Sequence, residues 1–162
     1  MIPDGTSDPV AVKIPKVAAG RVTGIRVGRD GARVAAVAGT GVQARLYVGS
    51  IVRGRAGSPT AAIEHLTEIL PELRSVRSVA WADDTTLAVL GAQNGGQVTP
   101  FLIDTDGYDV APVEHEAGLV KIDAAPQQRP LFAGTAGGRI VQYTSGRGWV
   151  DLGPGADPAY PG

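Results

Sequence analysis

The stretch "VAAVAGTGVQARLYVGS", residues 34–50, admits two incompatible folds. Its centre, Gly39-Thr40-Gly41-Val42-Gln43-Ala44, fits the G-x-G-x-x-A form of a dinucleotide-binding loop. Such a loop must open a helix whose N-terminus faces the phosphate. Here Gly41 is followed by "VQARLYVGSIV", which is rich in β-formers and lacks an apolar helical stripe. The acidic residue expected about 20 positions on is missing, because Ser58, Pro59 and Thr60 occupy that region. The glycines therefore read as a hairpin turn, and no cofactor is expected.

The same order of events recurs twice more. "VTGIRVGRDGARVAAVAGTGVQARLYVG" begins at residue 22, "VRSVAWADDTTLAVLGAQNGGQVTPFLID" at 76 and "LVKIDAAPQQRPLFAGTAGGRIVQYT" at 119. Each opens with an alternating strand ending near Val27, Trp81 or Ala124, then a polar turn ("GRDGAR", "ADDTT", "APQQR"). A small, apolar second strand follows, then a glycine turn ("GTG", "NGG", "AGG") and a more polar third strand. Looser fourth segments, "AIEHLT", "YDVAPVE" and "GWVDLG", complete the units. The first strands end 54 and 43 residues apart, and a four-stranded propeller blade takes roughly 40 to 50. An insertion of about 10 residues in "RGRAGSPTA" accounts for the longer spacing on that blade length.

The expected fold is thus all-β: a partial β-propeller of about three four-stranded antiparallel blades plus an N-terminal orphan strand. Residues 1–20 hold that strand, in "PVAVKIPKV", as a remnant of a preceding blade; the blades occupy 21–70, 71–117 and 118–162, the last with a C-terminal tail. Small residues of the second strands, Ala35, Ala36, Ala38, Ala88, Ala133 and Gly134, suit positions near the axis where blades converge. One window departs from the pattern. Ile63, Leu66, Ile69, Leu70 and Leu73 have helical spacing, broken by Pro71, and are compatible with a short helix or with a strand and loop.

Composition agrees with a turn-rich globular chain. Among 162 residues, 23 glycines and 12 prolines are nearly twice the usual share. The 15 basic and 16 acidic residues nearly cancel and are scattered, so neither nucleic acid nor an anionic membrane is an expected partner. No run approaches the roughly 20 apolar residues of a membrane span, and "MIPDGTSDPV" has no signal-peptide character. The absence of cysteine excludes disulfides, thiolate metal sites and a cysteine nucleophile within these residues.

Motifs that suggest chemistry have simpler readings. Asp104, Asp106 and Asp109 in "DTDGYD" begin like a calcium loop, but the twelfth position, which needs a bidentate Glu, is His115. A turn with Gly107 at positive φ is expected, and no metal site. His65 and His115 stand beside Glu64, Glu114 and Glu116, yet no G-x-S-x-G motif accompanies them, and surface histidines are expected. Trp81 and Trp149 read as packing residues. No catalytic residue is assigned, and the chain is not expected to be an enzyme.

The strings "RVTGIRVGRDGARVAAV", "LTEILPELRSVRSVAWADDTTLAVLG" and "GWVDLGPGADPAYPG" resemble the C-terminal propeller region of the LpqB lipoproteins of actinobacteria. The resemblance runs over nearly all of residues 20–162, and the terminal "DPAYPG" is its most specific part. It implies an exported protein, lipidated on a cysteine, with a GerMN-type region before the propeller. It further implies an extracytoplasmic, membrane-anchored accessory of the MtrAB two-component system, contacting the sensor kinase outside the cell. These 162 residues show no leader, lipobox cysteine or GerMN-like segment and are expected to be a piece of that longer lipoprotein.

Three roles follow as expectations. The first is a non-enzymatic module that modulates the kinase by protein contact. The second is a ligand-binding or hydrolytic propeller with Asp30, Asp83, Asp84 and Asp123 at its axial mouth. The third is a structural module whose blades complete another subunit's ring, with self-association as the remedy for an exposed blade flank.

Overall fold

The computed structural model describes residues 12–53, 61–125 and 131–158. The proposed insertion in "RGRAGSPTA", most of the "APQQR" turn and the end of "DPAYPG" lie outside the described residues. The first sheet contains β1 (Val12–Lys13), β2 (Val22–Val27), β3 (Arg33–Ala38), β4 (Arg45–Arg53) and β5 (Ala61–Glu68), in the order β1-β5-β4-β3-β2. The second runs β6 (Leu73–Trp81), β7 (Thr86–Gln93), β8 (Thr99–Asp104), β9 (Val110–Pro112), neighbours in sequence being neighbours in the sheet. The third repeats that order with β10 (Leu119–Ala124), β11 (Leu131–Thr135), β12 (Arg139–Thr144) and β13 (Gly148–Pro154). This is the meander of a propeller blade, used three times.

Burial explains why the second strand of each unit is small and apolar. Leu87, Ala88, Val89 and Leu90 of β7 are all fully buried, so both faces of that strand are covered. Leu87 and Val89 join Ala35, Val37 and Leu46 in one core, between the first and second sheets. Ala88 and Leu90 face the other way, into a core with Ile122, Leu131 and Ala133 of the third sheet. Alternation along one strand thus serves two neighbours. Each buried Leu or Val contributes about 1.5–3 kcal/mol relative to exposure. The outward face of β3 has a different cover: Ala36, Ala38 and Tyr47 pack with Val17 and Ala19 of the N-terminal segment.

The first strands, β2, β6 and β10, hold the axial position, and the small second strands lie one place further out. Side chains tie them across blades. Trp81 Nε1 donates to the Arg26 carbonyl at 3.1 Å, and the Arg33 guanidinium lies 5.5 Å from the Trp81 ring centroid. Arg77 Nη1 donates to the Leu119 carbonyl (3.2 Å), while Ser78 Oγ donates to the Ile122 carbonyl (3.2 Å) and accepts from the Ile122 amide (3.3 Å).

Two expectations are corrected: the small second strands, expected nearest the axis, lie one place out from the first strands, and the N-terminal strand has a partner. The N-terminal strand is not an orphan: Val12 and Lys13 pair in parallel with Ala61 and Ala62, adding a fifth strand to the open edge of β5. An unpaired edge offers amides and carbonyls to any extended segment nearby. For residues 63–73, whose spacing is compatible with a short helix or with a strand and loop, the structure takes the second alternative: β5, a short connection and the start of β6. Glu64 pairs with Ser50 and Thr67 with Val48, so His65 and Leu66 together oppose Gly49. This bulge, with His65 at φ 53°, shifts the alternation by one residue. Ile63 and Leu66 then share a face three residues apart, which is the helical interval. Gly49 is required there, because a Cβ would lie 2.8 Å from the Glu64 carbonyl oxygen.

The turn in "VAGTGVQA" does reverse the chain between β3 and β4. A three-residue 3-10 turn, Gly41–Gln43, sits at its tip, closed by Gln43 N to Thr40 O and Ala44 N to Gly41 O, both 3.1 Å. It ends at once in β4, so no helix axis points at a phosphate site. Gly39 has φ +88°, and a Cβ there would lie 2.7 Å from the Gln43 carbonyl oxygen and 2.9 Å from that of Ala19. Gly41, at φ +54°, has open space. Gly39→Ala is expected to cost about 3 kcal/mol, from left-handed strain plus the clash, and Gly41→Ala about 1 kcal/mol from strain alone. Urea unfolding midpoints of the two variants measure the difference.

Candidate functional site

Two of the carboxylates proposed for an axial mouth, Asp30 and Asp83, are engaged in their own turns. Asp30, between β2 and β3, accepts at Oδ1 from the amides of Ala32 (2.9 Å) and Arg33 (3.1 Å), and at Oδ2 from Arg33 Nε (2.7 Å). The amide of Ala32, then the side chain and amide of Arg33, lower its pKa from 3.8 to about 2. Asp83 repeats the arrangement between β6 and β7, accepting from the amides of Thr85 (2.9 Å) and Thr86 (2.7 Å). Partial burial pushes the Asp83 pKa up, but the hydrogen bonds from Thr85 and Thr86 outweigh it and hold the group below 3.8. Side-chain acceptors two and three residues before an amide are turn-formers.

These groups do not converge. Asp83 lines a cavity of about 170 Å³ at the rim between the second and third blades, where its acidic companions are Asp104 and Asp109. Asp30, Asp84 and Asp123 are not among its walls. Asp123 Oδ1 accepts from the Ala124 amide at 2.9 Å. Among the described residues, no three His, Asp or Glu side chains gather closely enough to hold a metal ion.

The "DTDGYD" stretch is the β8–β9 turn. Gly107, at φ +78°, donates its amide to the Asp104 carbonyl (2.8 Å), and Asp106 Oδ1 accepts from the Tyr108 amide (3.0 Å). His65 is exposed at the β5 bulge, 3.7 Å from Glu64. His115 Nδ1 is hydrogen-bonded to Thr99 Oγ1 at 2.9 Å, in the second blade. His65 is thus in the first sheet, and His115 is in the connection between β9 and β10. Trp149 packs on Tyr143, ring centroids 5.3 Å apart, and donates to the Glu114 carbonyl at 2.8 Å.

A different group of side chains does converge. The first strands of all three blades line an axial cleft of about 290 Å³, to which β2 contributes Arg26, β6 contributes Arg77 and β10 contributes Lys121. No carboxylate is among its lining residues. Lys121 Nζ is paired with Asp157 of the C-terminal tail at 2.7 Å. Sequence reasoning missed these three residues for a clear reason. Counted back from the strand ends at Val27, Trp81 and Ala124, they occupy three different positions, so the repeat carries no common basic column.

Residues 2–161 match the family described as the lipoprotein LpqB beta-propeller domain. The chain belongs to this family. Curated LpqB lipoproteins of Streptomyces coelicolor and Thermobifida fusca are each 32% identical to it, and that of Streptomyces avermitilis is 31% identical. The two Streptomyces matches take in 100% of the chain and the Thermobifida match 96%. The chain spans only 27%, 27% and 25% of the lengths of the relatives from S. coelicolor, S. avermitilis and T. fusca. The blades of this LpqB-family chain are therefore a fraction of a longer protein in those relatives.

The turn carboxylates make an acid-stability prediction. A group whose folded pKa lies below its unfolded value stabilises above the unfolded value, and that contribution is lost as pH falls through the folded one. For Asp30 the window runs from about pH 4 down to about 2. Asp30→Asn is expected to flatten the fall of Tm across this window, while above pH 5 its Tm stays parallel to that of the parent chain. Thermal melts from pH 2 to 6 read this directly.

Proposed function

We propose that this chain is part of a non-catalytic propeller module of an extracytoplasmic, lipid-anchored LpqB-type lipoprotein, and that the module modulates a sensor kinase of the MtrAB type by protein contact. The observation that carries the reading is the dispersal of potentially catalytic groups. Asp30, Asp83 and Asp106 hold backbone amides, while His65 is in the first sheet and His115 in the connection between β9 and β10. What the chain presents is a rigid stack of sheets with turns at its ends. Such surfaces suit recognition of another protein. The LpqB relatives carry the name lipoprotein, which supports placement at the membrane by an acyl anchor rather than by a helix. No helix of the described residues is long and apolar enough to cross a membrane.

Modulation needs no chemistry from the propeller. A module that binds one state of the kinase ectodomain better than the other shifts the population by its difference in affinity. Immobilised full-length lipoprotein is expected to retain the purified kinase ectodomain. A 10-fold preference between kinase states corresponds to about 1.4 kcal/mol. Failure to retain the ectodomain at tens of micromolar would overturn the reading.

A second reading, self-association through the last blade, rests on Val150 and Leu152 of β13, which are 48% and 53% exposed. Light scattering on the chain tests it, with a mass of twice the monomer as the expected result.

A further inference from the structure

We infer that the axial cleft is a binding site for a small multivalent anion, a ligand bearing phosphate or several carboxylates. Arg26, Arg77 and Lys121 come from the innermost strands of three successive blades and face one cleft of about 290 Å³ with no carboxylate in its walls. Three like charges converge against a single counter-charge, Asp157 on Lys121; the excess raises the local potential, and a concave wall focuses it on whatever enters. The volume is at the lower end of small-ligand pockets, too small for a folded partner.

The hydroxyls in the lining are already committed. Thr23 Oγ1 donates to the Val37 carbonyl (3.2 Å) and Ser78 Oγ to the Ile122 carbonyl (3.2 Å). The cations remain as the recognising groups. Arg77 is held by one Nη1 bond to the Leu119 carbonyl, and Arg26 by one Nη1 bond to the Ile25 carbonyl (3.1 Å). A guanidinium has five N–H donors in a planar fork, so each retains the capacity for bidentate contact with a phosphate or carboxylate.

The chain itself shows the chemistry that this position attracts. Asp157, a tail carboxylate that is 70% exposed, is seated on Lys121 at 2.7 Å. An exposed ion pair of this kind is worth about 0–1 kcal/mol, so a ligand with two or more anionic groups displaces it readily. Asp157 then acts as a weak internal competitor for the site.

Trp81 reports on the cleft, because its indole N–H is bonded to the carbonyl of Arg26. The test titrates the chain carrying Trp149→Phe, which leaves Trp81 as the single tryptophan, with inorganic pyrophosphate in one arm and citrate in the other. Sodium chloride at matched ionic strength is the control. The expected result is a saturable change in Trp81 emission with at least one probe. Affinity is expected to fall about 10-fold or more in Arg26→Gln/Lys121→Gln and to rise severalfold in Asp157→Asn. Both substituted cations are exposed, and Arg26→Lys/Lys121→Arg keeps the charge and is expected to retain binding. The absence of a saturable signal above the salt control with both probes would overturn the inference. So would an affinity unchanged in the Gln double variant while the chain remains folded by circular dichroism.

Discussion

The structure depends on burying both faces of the second strand in the first and second blades. Leu87 through Leu90 alternate between a core shared with the first blade and a core shared with the third. A sheet patterned in this way leaves apolar surface exposed when it stands alone and is stabilised by stacking on its neighbours. Alanines in these strands set how closely the blades approach. Ala88 and Ala133 lie in one core, Ala35 in the other, and larger side chains there would force the sheets apart.

Close approach brings the first strands within hydrogen-bonding reach, and the polar contacts between blades follow from it. Ser78 meets the backbone of Ile122, Arg77 reaches Leu119, and Trp81 reaches Arg26. These bonds do not create the stack, since each is worth only about 1 kcal/mol net. They fix the register of one blade on the next and so hold three cations around one cleft. The same stacking spreads the strand-connecting turns around the rim, which keeps Asp30, Asp83 and the histidines apart.

Much of the fold was legible because its signals are local. The turn glycines of "GTG", "NGG" and "AGG" and the aspartates of "GRDGAR" and "ADDTT" form their structures within a few residues. The order of strands followed from repetition, since equivalent strings make equivalent hairpins. The sequence pattern was ambiguous or misleading where a non-local partner intervened. The β5 bulge gave Ile63 and Leu66 a helical interval only because Gly49 of β4 lies opposite His65 and Leu66. The N-terminal strand found its place by pairing with β5, whose first residues are about 50 positions away along the chain. At the expected acidic mouth the opposite holds: Asp30 and Asp83, which look available in the sequence, accept hydrogen bonds within their own turns.

What the sequence by itself determined is therefore the blade: four short strands, their turns, and a central strand apolar on both sides. These rest on residue-by-residue preferences for φ, hydrogen bonding and burial. The tertiary structure alone decided which charged side chains meet. Arg26, Arg77 and Lys121 stand at unrelated positions in their repeats and become neighbours only when three sheets pack face to face. Backbone conformation is set by neighbours along the chain, whereas a binding site is set by neighbours across it.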